Sequence, residues 1–135
     1  MVEEHRIIQK TVFLLYLAAV AFLCFGHFDS IPQPPKFFLG IPADKIAHFF
    51  MFLPYSVLFY ASFSWKTRKR WHSALLAAAL LAAGCITAYM TEVIQGLTSY
   101  RSRDIFDFLA DSMALAVSSI AAYVIDKTKT EKYEN

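Results

Sequence analysis

The stretch Trp71–Ile94, WHSALLAAALLAAGCITAYMTEVI, decides the fold. Between His72 and Glu92 it carries no charged side chain. At ~1.5 Å of rise per residue, a run of ~20 apolar residues crosses a ~30 Å hydrocarbon layer. Inside lipid the backbone has no water to bond to, so such a run must be a helix. Three more runs of this kind occur: Thr11–Phe28, Ile46–Trp65 and Ile105–Ile125. The expected fold class is therefore all-α, an integral membrane bundle of four transmembrane helices at about 11–28, 46–65, 71–94 and 105–125. Together they form a single membrane domain, 1–135, whose polar tail 126–135 is expected to fray. Composition agrees. The chain is 57% hydrophobic and 18% charged, with 13 Phe, too apolar for one small water-soluble core.

The first run is no cleaved signal, since no small-x-small site follows it and three spans come after. With four spans, the N-terminus, the 66–72 loop and the C-terminal tail share one side. That side holds nine of the 13 Lys and Arg, among them those of KTRKR (66–70). Lys36, Lys45, Arg101 and Arg103 lie on the other. The positive-inside rule then makes both termini cytoplasmic. KTRKR reads as a topology anchor, so no nucleic-acid partner is expected. Cys24 and Cys85 sit inside apolar runs and read as small buried hydrophobes. Pro54 should kink the second helix. The proline-rich loop before Asp44 should be extended.

The outer ends of three helices carry the ionisable residues. The second helix opens with ADKIAHF, in which Asp44 and His48 share a face four residues apart. Asp44 also suits a helix N-terminus. The third ends with TEVIQ, in which Glu92 and Gln95 share a face. The fourth opens with RDIFDFLAD, in which Asp104, Asp107 and Asp111 form one stripe. A carboxylate in a membrane span costs about 2.5–3.5 kcal/mol on insertion scales, so Asp107 and Asp111 should face the bundle and find partners. Small residues on the same faces agree: Ala88, Cys85 and Ala78 behind Glu92, Ala114 and Ser118 beyond Asp111. Arg103 can pair with Asp107 four residues on. The cluster counts five acids, Asp44, Glu92, Asp104, Asp107 and Asp111, against Lys45, Arg101 and Arg103. Protonated His48, a protonated carboxyl, a metal or a cationic ligand would relieve the surplus. No HxxxH or HExxH spacing points to a metal, so none is expected, and no cofactor is specified.

DKIAHF, then TEVIQ, then R-x-R-D, then D-x-x-x-D resembles, in order, spacing and sidedness, the VanZ-like family of small bacterial membrane proteins. The likeness runs from about Asp44 to Ala122. It implies a multi-pass protein of the bacterial cytoplasmic membrane, associated with glycopeptide resistance. It maps the family's polar positions onto Asp44, Lys45, His48, Glu92, Gln95, Arg103, Asp104 and Asp107. The chain departs from the family at Asp111, where Asn is usual, and at Ala114 and Ser118, where glycines are usual.

Three functions remain open on the residues. An outward-facing polar pocket, lined by Asp44, Lys45, His48, Glu92, Gln95, Arg101, Arg103, Asp104, Asp107 and Asp111, would bind a lipid-linked envelope precursor or a glycopeptide. Its cations would meet phosphate or carboxylate and its acids amines or hydroxyls. An enzyme acting on a lipid head group would use His48 as base or metal ligand, with Glu92 or Asp107 as acid–base partner. A structural protein would use the charges only to staple helix ends.

Overall fold

The computed structural model describes residues 2–26, 36–63, 70–99 and 102–134. Most of KTRKR, Tyr100 and Arg101 lie outside the described residues. The order is α1 Val2–Phe25, β1 Phe37–Phe38, β2 Ile41–Pro42, α2 Ala43–Phe52, α3 Tyr55–Ser62, α4 Arg70–Gln95 and α5 Ile105–Glu134. Three of these helices, within α1, α4 and α5, are long and apolar enough to cross a membrane. Apart from one two-stranded hairpin the fold is helical, as expected.

α5 is the centre, packing against α4, α2 and α3, while α1 lies on α3 and α4. Its polarity is inverted relative to a helix in water. Asp107, Asp111, Ala114, Leu115, Ser118, Ser119, Ala122 and Asp126 are buried, whereas Ile105, Phe106, Leu109, Met113, Val117, Ile120 and Val124 are exposed. The outer face is apolar and the inner face small and polar, the arrangement expected where lipid is the solvent. Gly84 of α4 provides the closest approach, for a Cβ there would overlap the Leu115 methyls.

The second apolar run is two helices rather than the single kinked helix expected. Pro54 has no N–H to give, so the ladder stops at Leu53, whose N–H still reaches Phe49 O at 3.0 Å. Leu53 and Pro54 both keep right-handed helical dihedrals, and the helix resumes at once as α3. The interruption is satisfied from neighbouring helices. Tyr16 of α1 donates its hydroxyl to Met51 O at 2.7 Å. Ser118 of α5 accepts the N–H groups of Ser56 at 3.0 Å and Val57 at 3.3 Å. These are orphan first-turn donors of α3, which has no cap of its own. Ser56 and Ser119 hydroxyls pair at 2.8 Å.

Three further expectations are corrected. The tail 126–135 does not fray after 125: α5 continues to Glu134, because buried Asp126 accepts Tyr60 Oη at 2.9 Å and Ser73 Oγ at 2.6 Å. The described end of the proline-rich loop is a hairpin, Phe37 opposite Pro42 and Phe38 opposite Ile41. Its two turn residues, Leu39 (φ 53°) and Gly40 (φ 80°), both take positive φ, as a two-residue hairpin loop requires. Ala78, placed on the inward face of α4, is exposed. Cys24 is buried, Cys85 is half-buried and neither is in a disulfide.

Candidate functional site: an acidic cluster around Lys45 and His48

Asp104 organises the cluster. Its Oδ1 accepts the Phe106 N–H at 2.9 Å, which caps the start of α5. Its own N–H goes to Glu92 Oε2 at 3.1 Å, tying the end of α4 to that cap. Its Oδ2 meets Lys45 Nζ. The N-cap expected at Asp44 is therefore found at Asp104. Asp44 lies inside the first turn of α2 after Pro42, and its carboxylate turns to Lys45 Nζ at 2.9 Å.

Lys45, one of three cations expected in the pocket, is its hub. Its ammonium touches Asp44, Asp104 and Asp107 together. The Lys45 hydrogen bond, helped by the Phe106 N–H, holds the Asp104 carboxyl below its usual range.

One turn further in, His48 lies buried between two aspartates. Its Nδ1 is 3.1 Å and 3.3 Å from the two oxygens of Asp111. Its Nε2 faces Asp107 Oδ2 at 3.7 Å, too far for a hydrogen bond. Glu92 is 1% exposed, and its second oxygen, Oε1, has no hydrogen-bond partner among the described residues. One ligand atom from each of His48, Glu92 and Asp107 lies within 4.8 Å of the others.

Two expected members lie elsewhere. Arg103 does not pair with Asp107; it is exposed, with its guanidinium 5.0 Å from the centre of the Tyr89 ring. Gln95 is buried, and its amide donates to Cys24 O at 3.0 Å, serving an orphan carbonyl in the last turn of α1. Arg101 is outside the described residues. The structure thus brings together Asp44, Lys45, His48, Glu92, Asp104, Asp107 and Asp111. Asp111 is completely buried, at the heart of the cluster.

The arrangement offers oriented acid–base groups and a surplus of negative charge. Among the described residues, five carboxyls gather around one ammonium and one imidazole.

No family model matches the chain, and no solved structure matches it. An uncharacterized protein of Schizosaccharomyces pombe is similar, 23% identical over 129 residues that take in 95% of this chain and 72% of the yeast protein.

Proposed function

We propose that the chain is a VanZ-like integral membrane protein with four crossings and both termini cytoplasmic. Its working site is the Lys45–His48 cluster, at the level of lipid head groups on the opposite side. α2 and α3 together supply the remaining crossing: their 10 and 8 residues, bridged by Leu53 and Pro54, rise about 30 Å. The site binds an amphipathic ligand of the cell envelope, a lipid-linked precursor or glycopeptide, by its polar end. In a bacterial cytoplasmic membrane this binding links the protein to antibiotic resistance. The yeast relative carries no argument for that setting or that ligand. The proposal rests on one observation: seven ionisable side chains from α2, the end of α4 and the start of α5 with its cap converge on one end of the bundle. The acid surplus favours a ligand that presents amines or hydroxyls, or one that arrives with a cation.

The test compares ligand binding or glycopeptide susceptibility of Glu92→Gln, Asp107→Asn and Arg103→Ala with the parent at equal expression. The first two should lose at least tenfold, and exposed Arg103 should matter less. If all three match the parent, the cluster is not the working site.

One contact favours a second reading, an enzyme acting on a lipid head group. Asp111 holds Nδ1 of His48, which fixes the imidazole and turns Nε2 toward Asp107. A carboxylate–imidazole pair of this kind suits a general base. In that case His48→Ala would abolish turnover of a head group while leaving binding nearly intact.

A further inference from the structure

The cluster contains two acidic trios, and they differ in one respect. Asp44, Asp104 and Asp107 surround the Lys45 ammonium, so their charge is met. His48, Glu92 and Asp107 also bring one ligand atom each to within 4.8 Å of one another; Lys45 holds Oδ1 of Asp107, but the oxygen that faces His48 is Oδ2, and among the described residues no ammonium or guanidinium pairs with Glu92. In this second trio one oxygen of almost fully buried Glu92 has no hydrogen-bond partner among the described residues. A buried carboxylate oxygen left so is costly unless something accepts its lone pairs.

We propose that His48 Nε2, Glu92 and Asp107 bind a divalent transition-metal ion, and that Asp111 orients the imidazole from behind. The inference rests on the cluster's being the working site and gives it its cation. Three features carry it. The 3.7 Å between His48 Nε2 and Asp107 Oδ2 is too long for a hydrogen bond but close to the ~3.4 Å that separates two ligands on a tetrahedral ion with ~2.1 Å bonds. The partnerless Glu92 oxygen supplies a third donor from a different helix. The Asp111 contact at Nδ1 is the carboxylate–histidine support that metal-bound imidazoles almost always have. Asp111 replacing the family's usual Asn makes that support a full charge.

The donor set is one nitrogen and two carboxylates. An imidazole argues against Ca²⁺ and Mg²⁺, and the absence of thiolate argues against soft ions, so Zn²⁺ and Mn²⁺ fit. Three protein ligands leave a coordination position, which a phosphate or hydroxyl oxygen of a head group can take. Lys45 stands beside it on Asp107, placed to meet the same group's negative charge.

The experiment titrates the chelator-stripped, detergent-purified full chain with Zn²⁺ alone and Mn²⁺ alone, and counts bound ions by elemental analysis. One ion per chain is expected. Glu92→Gln and His48→Ala should weaken it at least a hundredfold, and Asp111→Asn ten- to a hundredfold. Tyr60→Phe, at the other end of the bundle, should keep it. Pulsed electron paramagnetic resonance of Mn²⁺ on the unmutated protein provides a readout independent of how the variants fold: a directly coordinated imidazole nitrogen is expected. Absence of a stoichiometric ion, Mn²⁺ without nitrogen coupling, or binding that survives His48→Ala overturns the proposal. The head-group reading stands or falls separately. Loss of ligand binding in Glu92→Gln without any metal in the parent would overturn the metal site and keep the working site. A bound metal with unaffected ligand binding would do the reverse.

Discussion

Ser118→Ala deletes a single oxygen, and the structure sets what that should cost. Ser118 is 2% exposed and sits on the face of α5 that meets the break at Pro54. Its Oγ accepts two backbone N–H groups, Ser56 at 3.0 Å and Val57 at 3.3 Å. Alanine leaves both donors without an acceptor in an apolar surrounding, at about 1–3 kcal/mol for each buried group. The longer contact is the weaker, so about 3 kcal/mol is expected, roughly a hundredfold in the folding equilibrium. Ser119→Ala removes only the Ser56–Ser119 hydroxyl pair and should cost about 1 kcal/mol, because Ser56 can turn back to its own helix. The assay is reversible unfolding of the purified protein in mixed micelles on SDS titration, followed by far-ultraviolet circular dichroism. A Pro54→Ala background completes the cycle. Alanine at 54 lets the helix run through, Ser56 and Val57 then reach their own i−4 carbonyls, and Ser118→Ala should cost less than half as much there. A Ser118→Ala loss under about 0.5 kcal/mol, or an unchanged loss in the Pro54→Ala background, would refute the capping role.

Three more outcomes follow from the packing. Lys45→Met leaves Asp44, Asp104 and Asp107 without their shared ammonium; the pairs are only partly buried, so about 2–3 kcal/mol of stability should go, with Lys45→Met/Asp107→Asn recovering part of it in the same SDS titration. Asp126→Asn weakens both the Tyr60 and Ser73 bonds and should cost about 1–3 kcal/mol while leaving the Zn²⁺ stoichiometry unchanged; altered stoichiometry would mean the two ends of the bundle are coupled. Gly84→Ala pushes a methyl into fully buried Leu115 and should destabilise by about 1–3 kcal/mol, whereas a neutral result would mean that α4 and α5 can separate locally.

Periodicity and cost together made much of this legible. Asp107 and Asp111, three or more residues into an apolar run, had to face inward, and they do. Glu92 on α4 meets the start of α5, as its place at a helix end suggested. What the sequence could not settle was partner choice. Arg103 four residues before Asp107 and Lys45 sixty-two residues away were both available to it, and only the rotation of α2 against α5 decides for Lys45. The same holds for Gln95, which by spacing belongs with Glu92 but reaches across to α1. Asp126 was hidden in a polar tail because an acid in a run of alternating acids and lysines looks solvated; its bonds to Tyr60 and Ser73 reach partners more than 50 residues away. Ser118 read as a spacer between helices, since nothing local shows that α3 lacks a cap.

These long-range bonds also bear on the order in which the protein can be completed. α5 leaves the ribosome after the other four helices, yet it holds the partners of α2 and α3 along their whole length: Asp104, Asp107 and Asp111 for Lys45 and His48, Ser118 for the resumed helix, Asp126 for Tyr60. Until it arrives, the broken pair waits with a histidine and two backbone donors unmatched and with Lys45 held by Asp44 alone. On the proposed four-crossing reading, the nascent chain holds α2 and α3 near water, or in the shelter of the insertion machinery, and releases them into lipid only as α5 closes the bundle.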